Sequence, residues 1–152
     1  MMDIATRFDS EHLRGDVEFD GLALAVDDTV LTAILHCLFT DRRAPEGYPL
    51  PDGSEDRRGW WGDCLALDPD DEGYGSLLWL LAREKQTEAT RRRAEDFCRQ
   101  ALQILVDKGI LRRFEVQVSF PRDGRMEILV DAESADGVRH RHALGYPMES
   151  NA

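Results

Sequence analysis

The chain has 152 residues, 42% of them hydrophobic, and a formal net charge of −11 at pH 7, a single-domain length with apolar content for one modest core. A binder of phosphates must bring cations to displace counterions, so this charge balance argues against nucleic acid as the partner. The longest apolar run, Leu77 to Ala82, falls far short of the roughly 20 residues that span a bilayer, and the opening Met1-Met2-Asp3-Ile4 lacks the pattern of a secretory signal, so no membrane partner is expected.

Residues 1–26 predict an extended acidic arm or a small hairpin, with Leu22, Leu24 and Val26 on one side of a short strand. Asp28 is placed to cap a helix over 28–39, where Val30, Ala33, Ile34, Cys37 and Leu38 recur as one apolar stripe. Residues 41–75 read as a long irregular loop interrupted by Pro45, Pro49, Pro51 and Pro69, and a loop of that length inside a compact domain is usually functional or mobile. Within it, Asp56-Arg57-Arg58-Gly59-Trp60-Trp61-Gly62-Asp63 places two arginines and two of the three tryptophans in eight residues. Gly59 and Gly62 weaken any regular element there. Arg and Trp carry much of the energy at protein interfaces. Either tryptophan can also plug a small core, and both need a partner surface of some kind.

Ser76 to Gln86 predicts a short buried helix, and 88–108 a longer one capped by Thr87. In the longer helix Ala94, Phe97, Cys98, Ala101, Leu102 and Leu105 form the buried stripe, with Arg91, Arg92, Glu95 and Arg99 on a solvated face. Gly109 supplies a left-handed ending that packs Ile110 onto Leu105. The hydrophobic period then switches to two, predicting strands over 114–120, 126–133 and 138–144 with turns at Pro121-Arg122-Asp123-Gly124 and Asp136-Gly137. In the third strand Val138, His140, His142 and Leu144 share one face, and Arg139 and Arg141 the other. Two imidazoles in an apolar register suit an edge strand or a face that another subunit covers. Residues 147–152 read as a disordered tail. The class is α+β: an N-terminal arm and helices followed by a C-terminal three-stranded antiparallel meander.

Catalytic signals are weak. Cys37, Cys64 and Cys98 lack metal or redox spacing and read as reduced thiols. His140 and His142 begin a metal site but find no local third ligand. Thirty acidic residues make any chance carboxylate pair uninformative, and neither a phosphate loop nor a nucleophile motif is present. No catalytic residue, metal or cofactor is expected.

Three blocks, Thr40-Asp41-Arg42-Arg43, the Asp56 to Asp63 stretch, and Gly75-Ser76-Leu77-Leu78-Trp79-Leu80-Leu81-Ala82-Arg83-Glu84-Lys85-Gln86-Thr87, resemble in order the gene-product-forty-six family of Mu-like phages, over about Asp27 to Tyr146. Members of that family are baseplate components of contractile tails, and the family is similar to the T4-type wedge subunit at which sheath growth begins. The T4 type carries an acidic-Pro-Arg signature where this chain reads Lys108-Gly109-Ile110-Leu111-Arg112-Arg113, so its residue roles do not transfer. The resemblance implies a single wedge domain over 27–146 that docks to other baseplate proteins, both wedge and spike or hub, and offers its C-terminal strands as a template for tail sheath. It implies several copies in the virion, assembled in the host cytoplasm and performing no turnover. The expected interface residues are Arg42, Arg43, Arg57, Arg58, Trp60 and Trp61 in the loop and Arg139, His140, Arg141 and His142 on the last strand. The alternatives are a tail-associated cell-wall hydrolase and an acidic protein that mimics a polyanion.

Overall fold

The computed structural model describes residues 2–4, 6–9, 11, 14–17, 19–20, 23–24, 26–65 and 73–149. Short N-terminal strands pair antiparallel: β1 (Met2–Ile4) with β6 (Val26–Asp28), β2 (Thr6–Asp9) with β3 (Arg14–Val17), and β4 (Phe19–Asp20) with β5 (Ala23–Leu24). The capping role expected of the Asp28 side chain, and the side chains of Leu22, Leu24 and Val26, lie outside the described residues. Two α-helices and a three-stranded antiparallel sheet follow, the expected α+β order.

The first helix, α1 (Thr29–Phe39), buries Val30, Ile34, Cys37 and Leu38. Thr32 and Leu35 are buried too, so the core wraps further around the helix than its stripe predicts. The second, α2 (Glu88–Asp107), starts where the Thr87 hydroxyl accepts the Thr90 N–H at 3.2 Å. Small side chains at Ala94, Cys98 and Ala101 let it lie close against the sheet, and Phe97 sits only half-buried at the margin of the stripe. At its end Gly109, at φ 71°, donates to the Val106 carbonyl, and Ile110 donates to that of Leu105, both at 2.9 Å. Those are the paired bonds of a Schellman ending.

The helix expected over 76–86 is instead a 3-10 turn at Leu78–Leu81. Ser76 enters it bridged in parallel to Asp41: its N–H donates to the Thr40 carbonyl at 2.8 Å and its carbonyl accepts the Arg42 N–H at 2.9 Å. Backbone groups engaged in that bridge are not available to open a helix. Leu77 to Leu81 are buried without exception, so the run carried no period from which to tell one element from another.

The sheet runs β7 (Leu111–Arg122), β8 (Arg125–Ser134) and β9 (Arg139–Pro147) in that order, with β8 central. Val116 pairs with Val130, Val118 with Ile128, and Met126 with Tyr146, which gives one continuous apolar face toward the helices. All three strands run longer than their alternation predicts. β9 in particular continues through Tyr146, which stacks on Phe39 of α1 with ring centres 5.9 Å apart. The disordered tail expected from residue 147 is corrected for its first three residues. Pro147 pairs with Arg125, Met148 is buried, the Glu149 N–H donates to the Ala82 carbonyl at 2.7 Å, and the Glu149 carboxylate holds Arg83 at 2.7 Å. Residues 150–152 lie outside the described residues.

A second, smaller core of Ala44, Leu77, Trp79 and Leu80, flanked by Tyr48 and Leu50, sits beneath the loop. Among the described residues no helix is long and apolar enough to cross a membrane.

Candidate functional site

The described part of the long loop is anchored at several points. The Arg58 guanidinium holds Asp41 at 2.7 Å and covers the ring of Trp79. Trp79 is almost fully buried, and its indole N–H donates to the Arg42 carbonyl at 2.9 Å. Arg57 donates to the carbonyls of Pro45 at 2.6 Å and Tyr48 at 3.4 Å and pairs with Glu46 at 3.3 Å, while its own carbonyl accepts the Ala44 N–H. Arg43 is exposed and pairs with Glu46. The three blocks of the resemblance therefore meet in space, joined by Asp41, Arg58 and Trp79. Of the expected interface residues, Arg58 and the backbone of Arg42 hold the loop to Ser76 and Trp79, and Arg57 ties the loop to itself through Pro45, Glu46 and Tyr48.

What the loop presents outward is aromatic. Trp61 is 73% exposed and Trp60 40% exposed. Their ring centres lie 5.5 Å apart, and Trp60 also packs against Tyr74 at 5.2 Å. Gly62 is needed for this arrangement because a Cβ there would run into the Trp60 ring. The 3-10 turn Trp61–Leu65 follows, with the Asp63 carboxylate accepting the Tyr74 N–H at 3.1 Å. The tryptophan that plugs a core is Trp79; Trp60 and Trp61 remain at the surface.

The second group lies on β9. His140 and His142 point to the helix-covered face, opposite Ala132 and Val130, and are half-buried with their rings 6.3 Å apart. The His140 Nε2 lies 3.3 Å from the Ser134 hydroxyl. Arg139 and Arg141 are exposed on the outer face. At the other end of β9, burial pushes the Tyr146 hydroxyl well above the usual tyrosine range, with the negative charge of Asp41 adding to the effect. That end thus sits by the Asp41 and Arg58 anchor, while the histidines lie toward the opposite end of the strand.

Sequence reasoning missed Asp41, Tyr74 and Trp79 as parts of this site. Trp79 was hidden inside a leucine run, and Asp41 had no signal apart from its place in the first block. Among the described residues no three His, Cys, Asp or Glu side chains are grouped to hold a metal ion.

Exposed tryptophans are a residue type enriched at protein contacts, and comparison with known proteins places the chain among proteins of phages. The chain belongs to the family described as phage protein GP46, whose model matches residues 30–139. It is 40% identical over 124 residues to the baseplate protein gp46 of Escherichia phage Mu, an alignment covering 82% of this chain and 83% of the relative. It is 37% identical over 120 residues to the Mu-like prophage FluMu protein gp46 of Haemophilus influenzae, covering 76% and 78%.

Proposed function

We propose that this chain is a structural component of the baseplate of a contractile, Mu-like phage tail or phage-like particle, acting through contact surfaces and performing no turnover. The observation that carries the reading is the 40% identity to the Mu baseplate protein across most of both chains, and the exposed Trp60 and Trp61 on an anchored loop agree with it. In this reading the loop docks to wedge and spike or hub proteins, and β9 offers its edge to tail sheath. Residues 27–146 form the docking domain, residues 1–26 an extended acidic arm or hairpin, and several copies enter each virion after assembly in the host cytoplasm.

Complementation tests this. A Mu phage lacking its own gp46 is supplied with the present chain, and the resulting particles are purified and searched for it by mass spectrometry. Sheathed tails containing the chain are expected. Sheathed tails without it, or turnover of labelled peptidoglycan by the purified chain, would overturn the reading.

A further inference from the structure

The sheet has two edges, and they differ in what they leave open. The ladder of β7 breaks register at both ends, between Leu111 and Arg113 and between Ser119 and Arg122. In an antiparallel ladder the N–H and C=O of one residue point to the same side, alternating along the strand. Ala135 donates to Ile110 on the β7 side of the sheet and Ser134 donates to Val138 on the β9 side, which fixes that alternation. Between the two breaks, the groups facing away from the sheet belong to Phe114, Val116 and Val118.

Val118 is already taken. Its N–H donates at 3.1 Å to the carboxylate of Glu95, which reaches across from α2. Glu95 is in turn held by Arg91 and, at 3.5 Å, by Arg99, and its side chain is only 13% exposed. Arg91 is steadied by Glu88 at 2.7 Å. This leaves β7 two open positions between two bulges, too short a run for another strand to add to.

The ladder of β9 is unbroken from Arg139 to Pro147. By the same alternation, the groups of Arg139, Arg141, Ala143 and Gly145 face outward in an uninterrupted row. Arg112 and Arg113 both converge on Glu133, whereas Arg139 and Arg141 make no side-chain ion pair among the described residues.

We infer that Glu95 closes the β7 edge to strand addition and so makes β9 the receiving edge, for an extended segment that carries acidic side chains at alternate positions beside Arg139 and Arg141. The inference rests on the baseplate reading only for which protein supplies that segment. Main-chain hydrogen bonds give such addition its affinity, and the alternate side chains give it selectivity.

The test uses the purified full chain and a synthetic hexapeptide of alternating valine and glutamate, with backbone amides followed by NMR. In the wild type the peptide should shift the amides of Arg141 and Ala143 and leave those of Phe114 and Val116 in place. In Glu95→Ala the Val118 amide should exchange with solvent about tenfold faster or more, and the β7 amides should begin to respond to peptide. Glu95→Gln, which keeps an acceptor oxygen, should behave as the wild type. Peptide shifts at β7 in the wild type, or none at either edge at millimolar peptide, would overturn the inference. No phage particle is involved, so failure here is distinct from failure of the baseplate assignment.

Discussion

The Arg58 guanidinium lies 4.4 Å from the centre of the Trp79 ring while the same side chain grips Asp41. Arg58 does this from φ 53°, a left-handed backbone that costs a non-glycine residue roughly 1–2 kcal/mol. Arg58→Ala keeps the strain and loses both contacts, so urea unfolding should show a loss of about 1–2 kcal/mol. Arg58→Gly removes the strain together with the contacts and should lose less. A glycine variant less stable than the alanine variant would contradict the assignment of strain.

Trp61→Ala should leave the urea midpoint nearly unchanged, because the ring is mostly in solvent. In the assembled tail the same change should weaken incorporation by about 2 kcal/mol or more, read from competition with wild-type chain. Trp79→Ala should do the reverse, unfolding the domain by about 3–5 kcal/mol through the cavity it leaves. Equal stability losses for Trp61 and Trp79 would remove Trp61 from the interface.

Proline scanning along β9 separates its two sides. His140 pairs with Ala132 and its N–H faces β8, so His140→Pro breaks the domain's own ladder and should cost roughly 1–3 kcal/mol. The Arg141 N–H faces outward, so Arg141→Pro should leave the isolated domain nearly as stable while preventing strand addition and sheathing. Sheathed particles carrying Arg141→Pro would rule out β9 as the template.

Glu88 should resist acid longer than an ordinary carboxylate. Hydrogen bonds from Arg91, then the charges of Arg91 and Arg92, lower its carboxyl from 4.5 to about 2. A depressed carboxylate contributes stability that is fully present above its unfolded value and is lost as the pH falls through its folded value. The stability gap between the wild type and Glu88→Gln should therefore be constant above about pH 5 and close as the pH drops toward about 2. Paired urea titrations across that range measure it, and a gap that persists below pH 2 would contradict the assignment.

Cys64 is exposed, whereas Cys37 and Cys98 are buried. Burial raises the Cys37 thiol to about 11 and pushes Cys98 higher still. Iodoacetamide at pH 8 should give a single adduct, at Cys64, by mass spectrometry of the folded chain. Because Cys64 donates to the Trp61 carbonyl at 2.8 Å, the same reaction should slow in assembled tails if the aromatic loop is covered there.

Elements with a clean period were legible in the sequence. The α2 stripe, its Thr87 cap and Gly109 ending, and the two-residue alternation of the sheet each arise from local physics. The Leu77 to Leu81 run was not, because a segment buried on every side has no face to read. The Arg57 and Arg58 roles were hidden for a related reason: their partners Pro45, Tyr48, Asp41 and Trp79 are long-range and leave no spacing signal. Residue type marked the Arg and Trp loop as unusual, but only three-dimensional contacts separate the arginines that hold it from the tryptophans that face outward. On β9 the alternation identified the histidine face, while the direction of each N–H needed the register.

Each strand of the sheet pairs with its immediate successor in the chain, and α2 directly precedes them, so this half closes through short loops and should collapse first. The stacking of Phe39 on Tyr146 joins the first helix to the last strand, and so wide a separation in sequence places it late. It is also the contact that draws α1 and the loop following it against the far end of β9. In a newly made chain the β9 edge would then form with the sheet, and the aromatic loop would stand beside it only once folding is finished.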